Sequence, residues 1–363
     1  MKIKLTALLV GSALFLVSCG DSLTLAEGGM SGTGITTGRI TGFGSIYVNG
    51  IHYDVDNALF YRNGAPVTDQ TSFAAGEFIT VTGSLNSDGI SGIASQVKFD
   101  GLVKATVEAI AADGKSIKVL GQTVQIDLLT VLHGFDQISD LQLGNLVEVS
   151  GDRLPNAAIK ATSISLIAGS YQTTDGLQVV GAISALNPPQ KTFQLNGLTV
   201  NYGAANLVGW NDKPLANGQI VQVKASALPV SNVLAAKQLS LQTTQGQYPD
   251  KSRLELEGIV SAITAATQFT LAGQTVITTA STQFIGLSAS NLALGLTLEV
   301  EGNVDSSGNL QAERVILRDV SSSNGKELAG QITAIDKTLN TISLAGYILY
   351  LDNGSMLLKN SQT

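Results

Sequence analysis

The sequence predicts an all-β chain of tandem small five-stranded OB-like β-barrels. Three observations carry that expectation: a repeat of about 75 residues, apolar alternation of period two within each repeat, and almost no helical periodicity.

The repeat is anchored by a turn-like pair ending in glycine. It recurs as Asn49-Gly50, Leu120-Gly121, Asn196-Gly197, Ala272-Gly273 and Ala345-Gly346, with glycines 71, 76, 76 and 73 residues apart. Short alternating segments flank each pair, as in Ser45-Ile46-Tyr47-Val48 and Ile51-His52-Tyr53-Asp54-Val55, and each hairpin follows a first strand: 38–42, 102–107, 180–183, 258–263 and 330–335. About twenty residues on comes a glycine and then a strand, at 76–83, 144–151, 218–223 and 295–302. A last strand closes each copy, at 93–99, 159–166, 234–241 and 310–317.

Five strands with a longer link between the third and fourth match a five-stranded barrel of the OB type. Closure also removes the sheet edges that invite aggregation. A β-solenoid repeats at about 20–29 residues or less, so the expectation is discrete barrels on a string. They occupy residues 36–100, 101–169, 176–245 and 254–320, with a partial fifth copy at 327–363. Copy three has Lys224-Ala225 where the others place a residue and then glycine after the fourth strand, which predicts a distortion there. Copy five has no glycine-plus-strand half. Its three strands are either a truncated product or are completed by the fourth barrel or another molecule.

The first residues point to export. Lys2 and Lys4 precede an apolar run from Leu5 to Val17, too short for a bilayer core of roughly 20 residues. Leu16-Val17-Ser18-Cys19-Gly20 resembles the lipobox of bacterial lipoproteins. Residues 1–18 are then a signal peptide, and Cys19 is the lipidation site. Residues 19–35, with the glycine-rich stretch from Gly28 to Gly34, form a flexible tether. Asp21 resembles an inner-membrane retention signal of enteric bacteria. Cys19 is the sole cysteine, so the exported chain has no disulfide, thiolate metal site or cysteine nucleophile.

The run Gly32-Thr33-Gly34-Ile35-Thr36, followed by Gly38-Arg39-Ile40-Thr41-Gly42-Phe43-Gly44-Ser45-Ile46-Tyr47-Val48-Asn49-Gly50, looks like the opening of bacterial lipoproteins built from domain-of-unknown-function family 5666. The later glycine-plus-strand signature fits the same family. The resemblance implies tandem β-barrels behind a lipid anchor, and it implies no activity.

Composition narrows the partners. Only 13% of residues are charged, against roughly 25% on average. Removing residues 1–18, with two lysines and no acid, takes the formal charge from −7 to −9. A phosphate backbone is held by clustered Lys and Arg, so nucleic acid is not the expected partner.

Candidate chemistry is sparse. His52 and His133 lie in different repeats, without a nucleophile elbow or the ligands of a zinc site, and read as ordinary surface or partly buried histidines. Asn303-Val304-Asp305-Ser306-Ser307-Gly308-Asn309 begins like a calcium loop, but its twelfth position is Arg314 where a bidentate Glu is needed. That stretch and Asn86-Ser87-Asp88-Gly89 read as turns. Asp54 and Asp56 at a strand end read as solvated. Glu255, Glu257, Glu299 and Glu301 alternate on strands, as acids on a solvent face do; glycoside hydrolysis would need a cleft joining two of them. Phe43, Tyr47 and Tyr53 lack the basic neighbours of a nucleic-acid platform and read as core or hairpin packing. Trp210, between Gly209 and Asn211-Asp212, is the candidate ligand-binding residue, since an exposed tryptophan stacks on a sugar ring and OB barrels bind oligosaccharides.

The sequence therefore predicts a lipid-anchored cell-envelope protein acting as a binding or structural module. Its partners are the membrane, through lipid on Cys19, and an envelope glycan or another envelope protein. It is expected to be no enzyme and to need no cofactor or metal. The alternative is an envelope enzyme acting on glycans, with the acidic strands as acid and base.

Overall fold

The computed structural model describes residues 32–43, 45–88, 90–127, 129–210, 214–242, 248–318, 332–336, 341–344 and 347–350. Cys19, its signal segment and most of the tether lie outside them. Barrel 1 comprises β1 (Gly32–Gly42), β2 (Ile46–Val48), β3 (Ile51–Asp54), β4 (Leu59–Arg62), β5 (Ala65–Val67), β6 (Phe78–Leu85) and β7 (Ser91–Phe99). Barrel 2 holds β8 (Val103–Ile110), β9 (Ser116–Val119), β10 (Gln122–Gln125), β11 (Val131–His133), β12 (Leu146–Arg153) and β13 (Ile159–Ala168). Barrel 3 holds β14 (Leu177–Ala182), β15 (Ser184–Asn187), β16 (Thr192–Leu195), β17 (Leu198–Asn201), β18 (Asn206–Val208), β19 (Ile220–Ala225), β20 (Val233–Ala235) and β21 (Gln238–Gln242). Barrel 4 holds β22 (Arg253–Ala265), β23 (Gln268–Leu271), β24 (Gln274–Ile277), β25 (Gln283–Ile285), β26 (Thr297–Val304) and β27 (Leu310–Leu317). Copy five supplies β28 (Ile332–Asp336), β29 (Thr341–Leu344) and β30 (Tyr347–Tyr350), a three-stranded antiparallel sheet.

Barrels 1, 2 and 4 close by one circuit, whereas the strands of barrel 3 are divided between two sheets. In barrel 1, β1 pairs antiparallel with β2 and β6, β2 with β3, and β6 with β7, while β3 and β7 close the ring in parallel. Barrels 2 and 4 repeat this circuit. The hairpin turns are of the primed kind, with positive φ at both central residues: 51° and 78° at Asn49-Gly50, 48° and 72° at Leu120-Gly121. Inward residues such as Val48, Ile79, Val81, Val97 and Phe99 are fully buried and make the core of barrel 1.

A short sixth strand, absent from the sequence expectation, lies parallel to the last strand of every barrel. These are β4 on β7, β11 on β13, β18 on β21 and β25 on β27. The signal was present: each is followed by a positive-φ glycine, at Gly64, Gly134, Gly209 or Gly286, or one residue beyond it. Among the described residues, only in barrel 1 does this strand turn back into a second one, β5.

Copy three is distorted where glycine is missing. In barrels 1, 2 and 4 a glycine interrupts the fourth strand at a register shift. A Cβ on Gly83, Gly151 or Gly302 would sit 2.2, 2.1 or 2.0 Å from a carbonyl oxygen of the last strand. Ala225 carries that Cβ. There β19 stops, and the last strand is split into β20, which pairs with β17, and β21, which pairs with β19. The first strand of this copy is also split at the buried Ile183.

The expectation of separate barrels on a string is corrected by the sheet order. β1 pairs in parallel with β22, fusing barrels 1 and 4 into one thirteen-stranded sheet. β8 pairs with β14, joining barrel 2 to β14, β18, β19 and β21 of barrel 3 in a ten-stranded sheet; β15, β16, β17 and β20 form a separate four-stranded sheet, and the two barrels share a single apolar core. The chain thus stacks its barrels through their first strands, in the order 4–1 and 2–3.

Candidate functional site

A strand of a closed barrel has one face toward its own core and one outside it. Here much of the outer face of the first and fourth strands is buried as well, because the barrels cover one another. Glu148, Ser150, Gln178, Gln222, Glu255, Glu257, Glu299 and Glu301 are all less than a tenth exposed. The acids expected to face solvent are therefore interior, and each needs a partner.

The β4–β5 turn of barrel 1 is the hub. Arg62 makes a two-point contact with Glu77, at 3.1 and 2.8 Å, and reaches Glu148 of barrel 2 at 2.5 Å. Its guanidinium also lies 4.2 Å from the Phe99 ring centre. Asn63 donates to Glu148 and accepts from the Gly101 amide and from Gln178 of barrel 3. Lys224 of barrel 3 donates to the Asn63 carbonyl at 2.6 Å. Burial works against the Arg62 charge, and Glu77 with Glu148 outweighs it, so its pKa is raised.

Barrel 2 holds barrel 3 through Arg153, which donates to the carbonyls of Ala157 and Val180 and to Gln122, and through Asn196, which donates to Gln122. Burial lowers the Arg153 pKa to about 10. Its neighbour Asp152 turns to barrel 4 and accepts the Ile259 amide at 2.5 Å. Burial raises Asp152 to about 6 against the pull of that amide and of Arg153. Arg39 of barrel 1 pairs with Glu257 of barrel 4 at 2.7 Å.

Where barrels 1, 2 and 4 meet, Arg39, Asp127, Asp152, Lys160, Glu257 and Arg318 border a cleft of about 40 Å³. Pockets for drug-sized ligands run to about 300–1,000 Å³. This cleft has room for one or two waters, not for a sugar ring.

Trp210, selected as an exposed stacking surface, is only 5% exposed; it packs into the joint core of barrels 2 and 3 and donates to Gln219 at 3.3 Å. A ring packed into that core offers no exposed face for a sugar to stack on. His133 lies on β11, with its ring 2.8 Å from the Ala75 carbonyl, and His52 packs on Tyr47 with ring centres 4.6 Å apart. Tyr53 is buried and hydrogen-bonded to Thr36 at 2.6 Å, and Phe43 packs against the barrel 1 core. Asp305 accepts from Ser307, Asn309 and Gln311, and Arg314 pairs with Glu301, so that stretch is a closed turn. Asp54 accepts the Asp56 amide in an exposed turn. Among the described residues no group of three or more His, Cys, Asp or Glu is placed to hold a metal ion.

Sequence reasoning missed Arg62, Asn63, Glu77, Glu148, Asp152 and Arg153. The available signal was polar residues on the outer face of the first and fourth strands of successive copies, in a chain otherwise poor in charge.

Tandem OB-type barrels locked together through polar outer faces are the build of a structural or binding module. The chain belongs to the family described as domain of unknown function (DUF5666), whose model matches residues 34–98, 104–165, 180–239 and 257–316. No curated protein matches it. Among solved structures it is similar to one described as "drosophila Unr CSD456", at 12% identity over 61% of this chain and 98% of that one. The TM-score is 0.16, so that likeness carries no argument.

Proposed function

We propose that this is a lipid-anchored cell-envelope protein working as a rigid binding or structural module, with Cys19 as its membrane attachment. The observation that supports a rigid module is the Arg62–Asn63 turn, whose bonds tie barrel 1 to barrels 2 and 3 at once. Its partner is an envelope glycan or another envelope protein, met on the outer surface, since the inner cleft is too small. The alternative of a glycan-cleaving enzyme needs two carboxyls open to a sugar. Glu257, Glu299 and Glu301 are each closed by an arginine within about 3 Å, which favours the module.

Two measurements test this. Membrane fractionation should find the wild-type chain with the membrane and Cys19→Ser in the soluble fraction; a variant that stays with the membrane sinks the anchor. The Cys19→Ser chain should then bind an envelope polysaccharide, or capture an envelope protein, without turnover. Release of a shortened glycan product would replace the module with the enzyme.

A further inference from the structure

β22 and β26 place four glutamates in two directly opposed cross-strand pairs, Glu255 with Glu301 and Glu257 with Glu299. Like charges facing each other across a sheet are unfavourable, and burial strengthens the repulsion. Arginines answer three of them: Arg39 meets Glu257, Arg318 meets Glu299, and Arg314 meets Oε1 of Glu301. Glu255 has no ion pair among the described residues, is 6% exposed, and buries Oε2 without a hydrogen-bond partner. Oε2 of Glu301 is likewise unpartnered. Both side chains border a cavity of about 10 Å³, the size of one water, lined also by Gly34, Thr36 and Arg253. This is the seam between barrels, because Glu255 is paired with Thr36 across β22 and β1.

We propose that the seam between barrels 1 and 4 is a proton-controlled latch, closed while the Glu255–Glu301 pair holds one proton and loosened when that proton leaves. Two carboxyls that cannot both ionise share one proton, as opposed acidic pairs do. A divalent cation would need six or more oxygens, and Arg253 stands in the same cavity. The charged groups around Glu255 are Arg253 and Glu257 on its own strand, Glu299 and Glu301 on β26, Glu313 and Arg314 on β27, and Arg318 just beyond it. From barrel 1 come Arg39 and the Tyr53 hydroxyl. With Asp152 of barrel 2 beside Glu257, six acids stand against four arginines, so the cluster keeps negative charge for a proton to cancel.

The titration agrees in direction. Burial, and then the charges of Glu299 and Glu301, push Glu255 well above its ordinary 4.5. Burial raises Glu301 against the pull of Arg314, and raises Glu299 to about 7 against the pull of Arg318. The closed seam therefore binds more protons than the open one, and closure weakens as pH rises above about 4.5.

Amide hydrogen exchange on the full chain, corrected for intrinsic rates, tests the latch at about pH 5.5 and about pH 7.5. Protection in Ile35–Thr37 and Leu254–Leu256 should fall about tenfold or more across that interval. The β8–β14 seam should keep its protection. Glu255→Gln should hold the seam closed at the higher pH, and Glu301→Gln should flatten the pH response too, so the test survives if one variant fails to fold. A pH-independent seam in the wild type, or an equal fall in the variants, overturns the latch. So does full recovery of protection at the higher pH on adding millimolar calcium or magnesium, which would make the pair a cation site.

Discussion

Arg62 of the first barrel meets Glu148 of the second at 2.5 Å, 86 residues apart in sequence. Glu148 is 3% exposed, so without Arg62 it would be a buried charge with only the Asn63 amide as donor. Glu77 would lose the same partner. Removing one side of a buried pair costs about 3–5 kcal/mol, more than the pair itself contributes. Arg62→Ala should lower the urea midpoint accordingly. Arg62→Ala combined with Glu148→Gln should recover part of the loss, since the second change removes the stranded charge. Additive losses in that double-mutant cycle would mean the two residues are not coupled.

The glycine of the fourth strand gives a comparison inside one molecule. At Gly302 a Cβ would lie 2.0 Å from the Gln311 carbonyl oxygen, so Gly302→Ala must push β26 and β27 apart. Overpacking of this kind costs about 1–3 kcal/mol. Gly151→Ala should behave alike, since its Cβ would meet the Lys160 carbonyl at 2.1 Å and its φ is +157°. In copy three Ala225 is already accommodated by the split last strand, and Ala225→Gly should lose little beyond a small buried methyl. Thermal melts of the three variants check the contrast.

The barrels were legible because closure leaves a local imprint. Asn49-Gly50 and its counterparts set primed turns, and the alternation of Ile46, Val48, Ile51 and Tyr53 marks the core face. The distortion of copy three was legible for the same reason, since one glycine decides how closely two strands approach. The packing of barrels on one another was not. Period two separates two faces of a strand but does not say whether the second face meets water or another barrel. Glu255, Glu257, Glu299 and Glu301 have the spacing of a solvated sheet, but barrel 1 lies against them, and its Arg39 meets Glu257 from 218 residues away. Trp210 failed similarly: small polar neighbours suggested exposure, whereas the core that covers it comes from distant strands.

The hairpin turns predict a stabilising change. Ala272 holds φ 45°, a left-handed conformation that costs a residue with a Cβ about 1–2 kcal/mol. It is only partly buried, at the edge of the barrel 4 core, so its methyl contributes less packing than the strain its removal relieves. Ala272→Gly should raise stability by about 0.5–1 kcal/mol, offset by the added freedom of the unfolded chain. Leu120 occupies the same turn position at φ 48° but is 1% exposed. Leu120→Gly should therefore destabilise, by about 2–3 kcal/mol, because lost burial exceeds the relieved strain. Opposite signs at equivalent positions are the expected result in urea titration.

Asp152 supplies a second pH dependence, at the barrel 2–4 contact, where the Glu257 charge also bears on it. Burial raises its pKa from 3.8 to about 6, although the Ile259 and Arg153 amides and the Arg153 charge pull it down. A carboxyl with a raised pKa binds its proton more tightly in the folded chain. Its effect on stability is thus the reverse of a salt-bridged acid: stability falls as pH climbs from about 4 to about 6 and is flat beyond. The fall is on the order of 2–3 kcal/mol for a shift of this size. Asp152→Asn keeps an acceptor for the Ile259 amide and removes the titration, so the variant should lose that part of the slope. It should match or exceed the wild type in stability near neutral pH. A slope through this interval unchanged by the substitution would assign the titration to the glutamates of barrel 4 instead.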